Sequence, residues 1–301
     1  MSLVVPLYDG LSLALASDGG GAAPDGEGSG APDSGGAAPH DRRVAPGFAT
    51  RRLGRGLLLY DGECDLAEEG VGFGVPILKR GLQTIFPGRQ AVVQGESGGE
   101  RSITVEYDMN LVERLAARDA RSVGSPALYS AKNALAALHR RVPALRAPLT
   151  GLSSALRRTF GWTTTFEEAG EGVTLTLTYT VAGEPGRLAV AVDATALPAD
   201  GATTVVVMSE QGARAFDRYR DDSGGELRGA AIGTWDEVTA ATASFVCERR
   251  RVAFTLGQVA GARLFRGREL IGTRVAWAGF GYSFPATLGT MAYELRVERL
   301  P

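Results

Sequence analysis

The chain has 301 residues, 44% of them apolar, and a formal charge of −2, enough to bury a substantial core without staples. That balance gives no sequence-wide attraction to nucleic acid or an anionic membrane, and no large basic patch compensates. No apolar run approaches the roughly 20 residues of a bilayer-spanning helix, and MSLVVPLYDG lacks the basic start and cleavage pattern of a secretory signal. The expectation is a cytoplasmic protein with neither nucleic acid nor membrane as partner.

Cys64 and Cys247 are the only cysteines and His40 and His139 the only histidines. None of the four has metal-ligand spacing, so no metal and no cofactor is expected.

The first segment, residues 1–15, contains LVVPLYDG, which reads as a strand with Pro6 tolerated at an edge. Residues 16–47 are almost entirely Gly, Ala, Pro, Asp and Ser, which cannot offset their ordering entropy and read as a disordered loop or linker. The sequence LYDG recurs at Leu7 to Gly10 and Leu59 to Gly62, too short a match to establish a repeat.

Residues 48–301 read as one β-rich domain. Short runs come first: GLLLYDGECD, VPILKR, LQTIF, AVVQG and SITVEYDM. In the last, Ile103, Val105 and Tyr107 share one face and Thr104, Glu106 and Asp108 the other. Over 125–160 the period becomes helical, with Ser125 and Pro126 as an N-terminal signature and Pro143 dividing two helices. This predicted hairpin carries an apolar stripe that either covers the sheet or serves as a homo-oligomer contact.

Beyond Trp162 the strands return, clearest in GVTLTLTYTV, where Val173, Leu175, Leu177, Tyr179 and Val181 face one way. Helices do not alternate with these strands, so the predicted fold is mostly β. It is a two-layer antiparallel β-sandwich, or a large supersandwich, with the helical hairpin inserted.

VGFGVPILKRG, from Val71 to Gly81, has the look of a phosphate loop and fails as one. Ile77 stands where a dinucleotide fingerprint needs its third glycine, and Lys79 is followed by Arg80 where a Walker loop needs Ser or Thr. The simpler reading is a flexible connection over Gly70 to Gly74 and a turn at Gly81. Lys79 is retained as a ligand-binding candidate because Lys79 and Lys132 are the only lysines.

Two constellations suit a polyol. In DGECDLAEE, Asp61, Glu63 and Asp65 would project from one face if the strand continues through them, and could bind a cation or act as acid and base on a glycoside. The EF-hand pattern is not met, since Leu66 stands where glycine is needed. Aromatic candidates are Trp235, Trp277 and Tyr282, which could stack on sugar rings. The FDRYRDDSGGE segment reads as a solvated loop and ERRR as a hairpin corner.

No Gly-x-Ser-x-Gly elbow or hydrolytic triad spacing occurs. The strand texture resembles that of the large β-supersandwich proteins that act on sugars, mutarotases among them. Those enzymes use histidines with a carboxylate, and the strand regions here contain none, which disfavours that activity. The expected function is a non-enzymatic, ligand- or partner-binding β-sandwich with a carbohydrate-like ligand. The alternative is a carboxylate-dependent sugar-active enzyme of the supersandwich type.

Overall fold

The computed structural model describes residues 2–8, 10–16, 54–68, 70–81, 83–97, 100–116, 163–181, 183–271 and 275–301. The helical hairpin expected over 125–160, most of the linker expected over 16–47, and both histidines lie outside them. Among the described residues there is no α-helix, only three short 3-10 turns, and no helix is long and apolar enough to cross a membrane.

The first four strands, β1 (Ser2–Tyr8), β2 (Leu11–Ala16), β3 (Leu58–Asp61) and β4 (Cys64–Asp65), pair in that order as a small antiparallel sheet. β1 is its edge, and Pro6 is exposed there, where a missing N–H costs no ladder bond. Alternation sends Val5 and Leu7 of β1, and Leu11, Leu13 and Leu15 of β2, into the core. Both copies of LYDG end in hairpin turns, with Gly10 at φ 73° and Gly62 at φ 60°, and the Gly62 N–H donates to the Gly10 carbonyl.

The remaining strands form one continuous antiparallel sheet. They are β5 (Gly72–Arg80), β6 (Gln83–Ser97), β7 (Glu100–Ala116), β8 (Thr163–Val181), β9 (Arg187–Asp193), β10 (Thr203–Gly212), β11 (Arg218–Asp221) and β12 (Glu226–Arg228). After these come β13 (Asp236–Glu237), β14 (Thr242–Cys247), β15 (Val252–Gly257), β16 (Arg263–Ile271), β17 (Val275–Pro285) and β18 (Thr290–Arg299). Their order across the sheet is β12-β11-β14-β15-β18-β9-β8-β7-β6-β5-β10-β17-β16-β13.

Two layers arise because this sheet folds over on itself. β15 and β17 are separated by β18, β9, β8, β7, β6, β5 and β10, which in a flat sheet would be roughly 38 Å at about 4.8 Å per strand. Yet Phe254 of β15 and Phe280 of β17 meet with ring centroids 5.8 Å apart, and Phe254 also meets Phe73 of β5 at 5.1 Å. The expectation of a mostly β, antiparallel fold is met, while the expected two-layer sandwich is matched only roughly, the large sheet being one folded-over sheet with a small second sheet against it. Gln211 contributes to that attachment. Buried on β10, it accepts from the Leu59 N–H at 3.2 Å and donates to the Leu57 carbonyl at 3.3 Å.

Several short runs merge into long strands. QTIF and AVVQG lie in one 15-residue strand, β6, whose register shifts around Pro87 mark a bulge. FDRYRDDSGGE, expected as a loop, forms the β11–β12 hairpin, and Tyr219 within it is buried. The alternations in β7 and β8 place Ile103, Val105 and Tyr107, and Leu175, Leu177 and Tyr179, in the core.

The run from Gly70 to Gly74 is close-packed, not a flexible connection. Gly70, Gly72 and Gly74 are buried, and β5 already begins at Gly72. At Gly74, with φ 83°, a Cβ would sit 2.1 Å from the Tyr179 hydroxyl, which donates to the carbonyls of Phe73 and Gly74. Gly81, at φ 57°, has nothing within 4 Å of a Cβ and only turns the chain. Gly74→Ala should therefore cost on the order of 3 kcal/mol in denaturant unfolding, and Gly81→Ala only about 1 kcal/mol. Equal losses would show that Tyr179 yields freely and that Gly74 is needed for its backbone angle alone.

Candidate functional site

The acidic candidates do not assemble. β3 stops at Asp61, Gly62 and Glu63 form a two-residue turn, and the chain returns with Asp61 opposite Cys64 and Tyr60 opposite Asp65. The one-face expectation required a strand running straight through, and Asp-Gly is itself a hairpin signal that spoke against it. The Asp61 carboxylate, with its side chain 12% exposed, accepts from Arg299 and lies 3.6 Å from Arg250. It clamps the small sheet to the end of the large one. Glu63 is exposed on the turn. Asp65 Oδ1 accepts from the N–H groups of Ala67 at 2.7 Å and Glu68 at 3.3 Å, closing the next bend. Among the described residues no three His, Cys, Asp or Glu side chains are grouped to hold a metal ion.

Lys79 is exposed on β5 between Thr204 and Thr84 of the flanking strands, away from the aromatic candidates. Tyr282 is a core residue. It is 1% exposed, its ring lies 4.8 Å from that of Tyr293, and its hydroxyl donates to the Gly257 carbonyl at 2.5 Å. The shallow depression of about 250 Å³ that it borders is lined by groups committed to one another. Gln258 Nε2 donates to the Val238 carbonyl, and Glu294 pairs with Arg187 and Arg296.

The two tryptophans do come together. Trp277 lies on β17 with parity opposite to Ala278, Phe280, Tyr282 and Phe284, so it stands on the face turned away from the aromatic core. Trp235, just before β13, stacks on it with centroids 4.8 Å apart and planes 18° from parallel, and both rings are part-exposed. Trp235 has φ 59°, a left-handed backbone that a bulky residue adopts at a cost of about 1–3 kcal/mol. Glycines beneath make the room. A Cβ at Gly267 would sit 2.9 Å from Trp277 Cη2 and from the Trp235 nitrogen, and one at Gly281 would sit 3.1 Å from Trp235 Cζ3. Beside the pair, Arg263 forks onto both oxygens of Glu237 and its guanidinium lies 5.1 Å over the Phe265 ring.

The register identifies a residue that sequence reasoning missed. Gly72 of β5, Glu210 of β10, Gly279 of β17 and Gly267 of β16 form one row across four strands. Glu210 is the only member of that row with a side chain. The flanking rows are Gly212, Trp277 and Glu269 on one side and Met208, Gly281 and Phe265 on the other. Glu210 thus shares a glycine-floored trough with the tryptophan pair.

Glu210 is 6% exposed. Burial pushes its carboxyl up to about 8 from an ordinary 4.5, the Val71 backbone N–H pulls the other way, and the Glu269 charge adds a smaller upward push. Nothing in TTVVVMSE marks that residue, because the glycines of its row come from three other strands, β5, β16 and β17, far from β10 in sequence.

Folding at neutral pH accordingly traps a proton. Between about pH 4.5 and pH 8 the folded chain holds a proton that the unfolded chain has lost, so stability falls as pH rises through that window and levels off above it. Glu210→Gln should remove a slope of about 1.4 kcal/mol per pH unit from urea-unfolding free energies measured between those limits. An unchanged slope would mean that Glu210 is ionised in the fold.

No protein-family model and no curated protein matches the chain. Among solved structures it is similar to GH36 alpha-galactosidase AgaA from Geobacillus stearothermophilus, and to a double-substituted form of that enzyme in complex with raffinose. Each match has 10% identity and a TM-score of 0.38, and covers 100% of this chain and 41% of the enzyme chain. The chain spans well under half the length of those enzymes.

Proposed function

We propose that the protein binds a hydroxyl-rich ligand, a carbohydrate first, through the Trp235–Trp277 pair and without chemical turnover. The observation that carries this reading is the part-exposed indole stack, held over a glycine floor by a strained Trp235 backbone. Exposed indole faces accept the C–H faces of pyranose rings, and the neighbouring charged groups suit sugar hydroxyls. Glu237 and Arg263 lie beside the pair, and Glu269 is directly opposite Trp277 in the register.

Calorimetric titration with a panel of mono- and oligosaccharides tests it. A saccharide that binds should lose about tenfold or more in affinity with Trp277→Ala, and less with Trp277→Phe. Binding that survives Trp277→Ala unchanged would put the ligand elsewhere.

The second reading, a carboxylate-dependent sugar-active enzyme, is supported by Glu210 and not by the acidic hairpin. A glutamate protonated near neutrality beside a second carboxylate is the arrangement that glycoside chemistry uses for its acid and base. Release of nitrophenol from aryl glycosides by the purified protein, lost in both Glu210→Gln and Glu269→Gln, would favour that reading. Saccharide binding without any release would leave the binding module.

A further inference from the structure

The small sheet leaves one edge open. Among the described residues β1 pairs with β2 alone, at the end of the order β1-β2-β3-β4. Pro6 fixes which backbone groups of β1 face outward. A proline has no N–H to give to β2, so Pro6 belongs to the set whose backbone points away from the ladder, and alternation puts Ser2 and Val4 in the same set. The N–H and C=O groups of Ser2 and Val4, and the C=O of Pro6, therefore line the open edge. Val5 and Leu7 turn their side chains into the core, while the Val4 side chain is exposed.

The two ends of this edge differ. Tyr8 closes one of them. Its hydroxyl donates to the Pro185 carbonyl at 2.9 Å, and its ring lies so near Gly186 that a Cβ there would sit 2.5 Å from Tyr8 Cε2. At the other end, beside Val4 and Val5, lies a groove of about 330 Å³, walled by Gly95 of β6, Arg101 and Ile103 of β7, and Val181 of β8. Ile103 is buried and Val181 packs against the core, so the groove is the margin of the space between the layers. An open backbone edge beside an apolar wall is the combination that strand addition uses.

The walls also decide what fits. A second copy of this chain would have to bring its own folded layers up to β1 past β6, β7 and β8, which already border it. A lone extended chain needs only about 4.8 Å beside its neighbour. We propose that the β1 edge takes an extended peptide segment of a partner protein as a fifth strand of the small sheet. The segment residue opposite Val4 exchanges backbone hydrogen bonds with it, and the residues on either side of that one turn inward, towards Ile103 and Val181, where apolar side chains are favoured. Pro6 offers only a carbonyl, which confines pairing to the Ser2–Val4 half and keeps the edge from joining every strand it meets. Arg101, whose register partner is Glu96, is the one charged residue of the lining and favours a carboxylate on the segment over an ammonium. The groove shares no residue with the tryptophan platform.

Fluorescence anisotropy of the full chain with a labelled peptide of alternating valine and threonine, ending in glutamate, tests the assignment. With valines inward, the threonine amides face β1, so N-methylation of the threonines should abolish binding and N-methylation of the valines should preserve it. Val4→Pro removes one outward N–H and, like Pro6, no ladder bond, so it should leave the melting temperature within a few degrees and weaken the peptide about tenfold. Arg101→Glu should reverse the preference between this peptide and one ending in lysine.

Methylation that acts alike on both sets of amides overturns strand addition, as does a folded chain that binds no peptide. Binding that a folded Val4→Pro leaves unchanged moves the peptide off β1 and overturns the assignment equally. If Val4→Pro lowers the melting temperature, the methylated peptides carry the same test on the unaltered chain. Self-association in sedimentation velocity that Val4→Pro abolishes would put a second copy on the edge and overturn the peptide.

Discussion

Phe254 is the point at which the two layers of this protein are joined. Its ring meets Phe73, Phe216, Phe245 and Phe280 with centroid separations of 5.1, 4.9, 5.6 and 5.8 Å. These partners come from β5, from the turn after β10, from β14 and from β17, so one side chain gathers strands from opposite ends of the sheet order. The Phe245 contact is stacked and the other three are edge-to-face, and aromatic contacts of both kinds add to simple area burial. The folded-over sheet exists because those rings have nowhere else to bury their faces, and the other features inherit their positions from that fold.

Glycine is the complement of this aromatic core. Gly74 admits the Tyr179 hydroxyl to two backbone carbonyls. Gly267 and Gly281 leave room for the indoles, and Gly279 for the close approach of β10. In each case the residue is needed for the volume it does not occupy, which is a property of its neighbours and not of the local chain. The candidate site follows from the same principle. Where β5, β17 and β16 lose their side chains in register, a trough remains, and the single glutamate of β10 is left in it with burial as the dominant influence on its proton.

The acidic hairpin illustrates how a periodic reading goes astray. Asp61, Glu63 and Asp65 are spaced like one face of a strand, yet the Asp-Gly step reverses the chain and sends each carboxylate to a different task. Asp61 goes to arginines near the C-terminal end of the sheet, and Asp65 goes to two backbone N–H groups. Tyr282 shows the converse. Its alternation with Phe280 and Phe284 marked a shared face, and that face is the core, while Trp277, of opposite parity, is part-exposed on the other face.

What the sequence determined by itself was the local part. Alternating apolar residues dictate strands in β2, β7, β8 and β9, and Gly, Asp and Pro punctuate them, because side chains two apart must share a face. Only the tertiary structure decided that one sheet folds over to make both layers, that Trp235 finds Trp277, and that Glu210 lies in a row of glycines. These are register relations between segments far apart in the chain. A shift of one residue in any pairing would send each side chain to the other face, and no local pattern encodes which pairing wins.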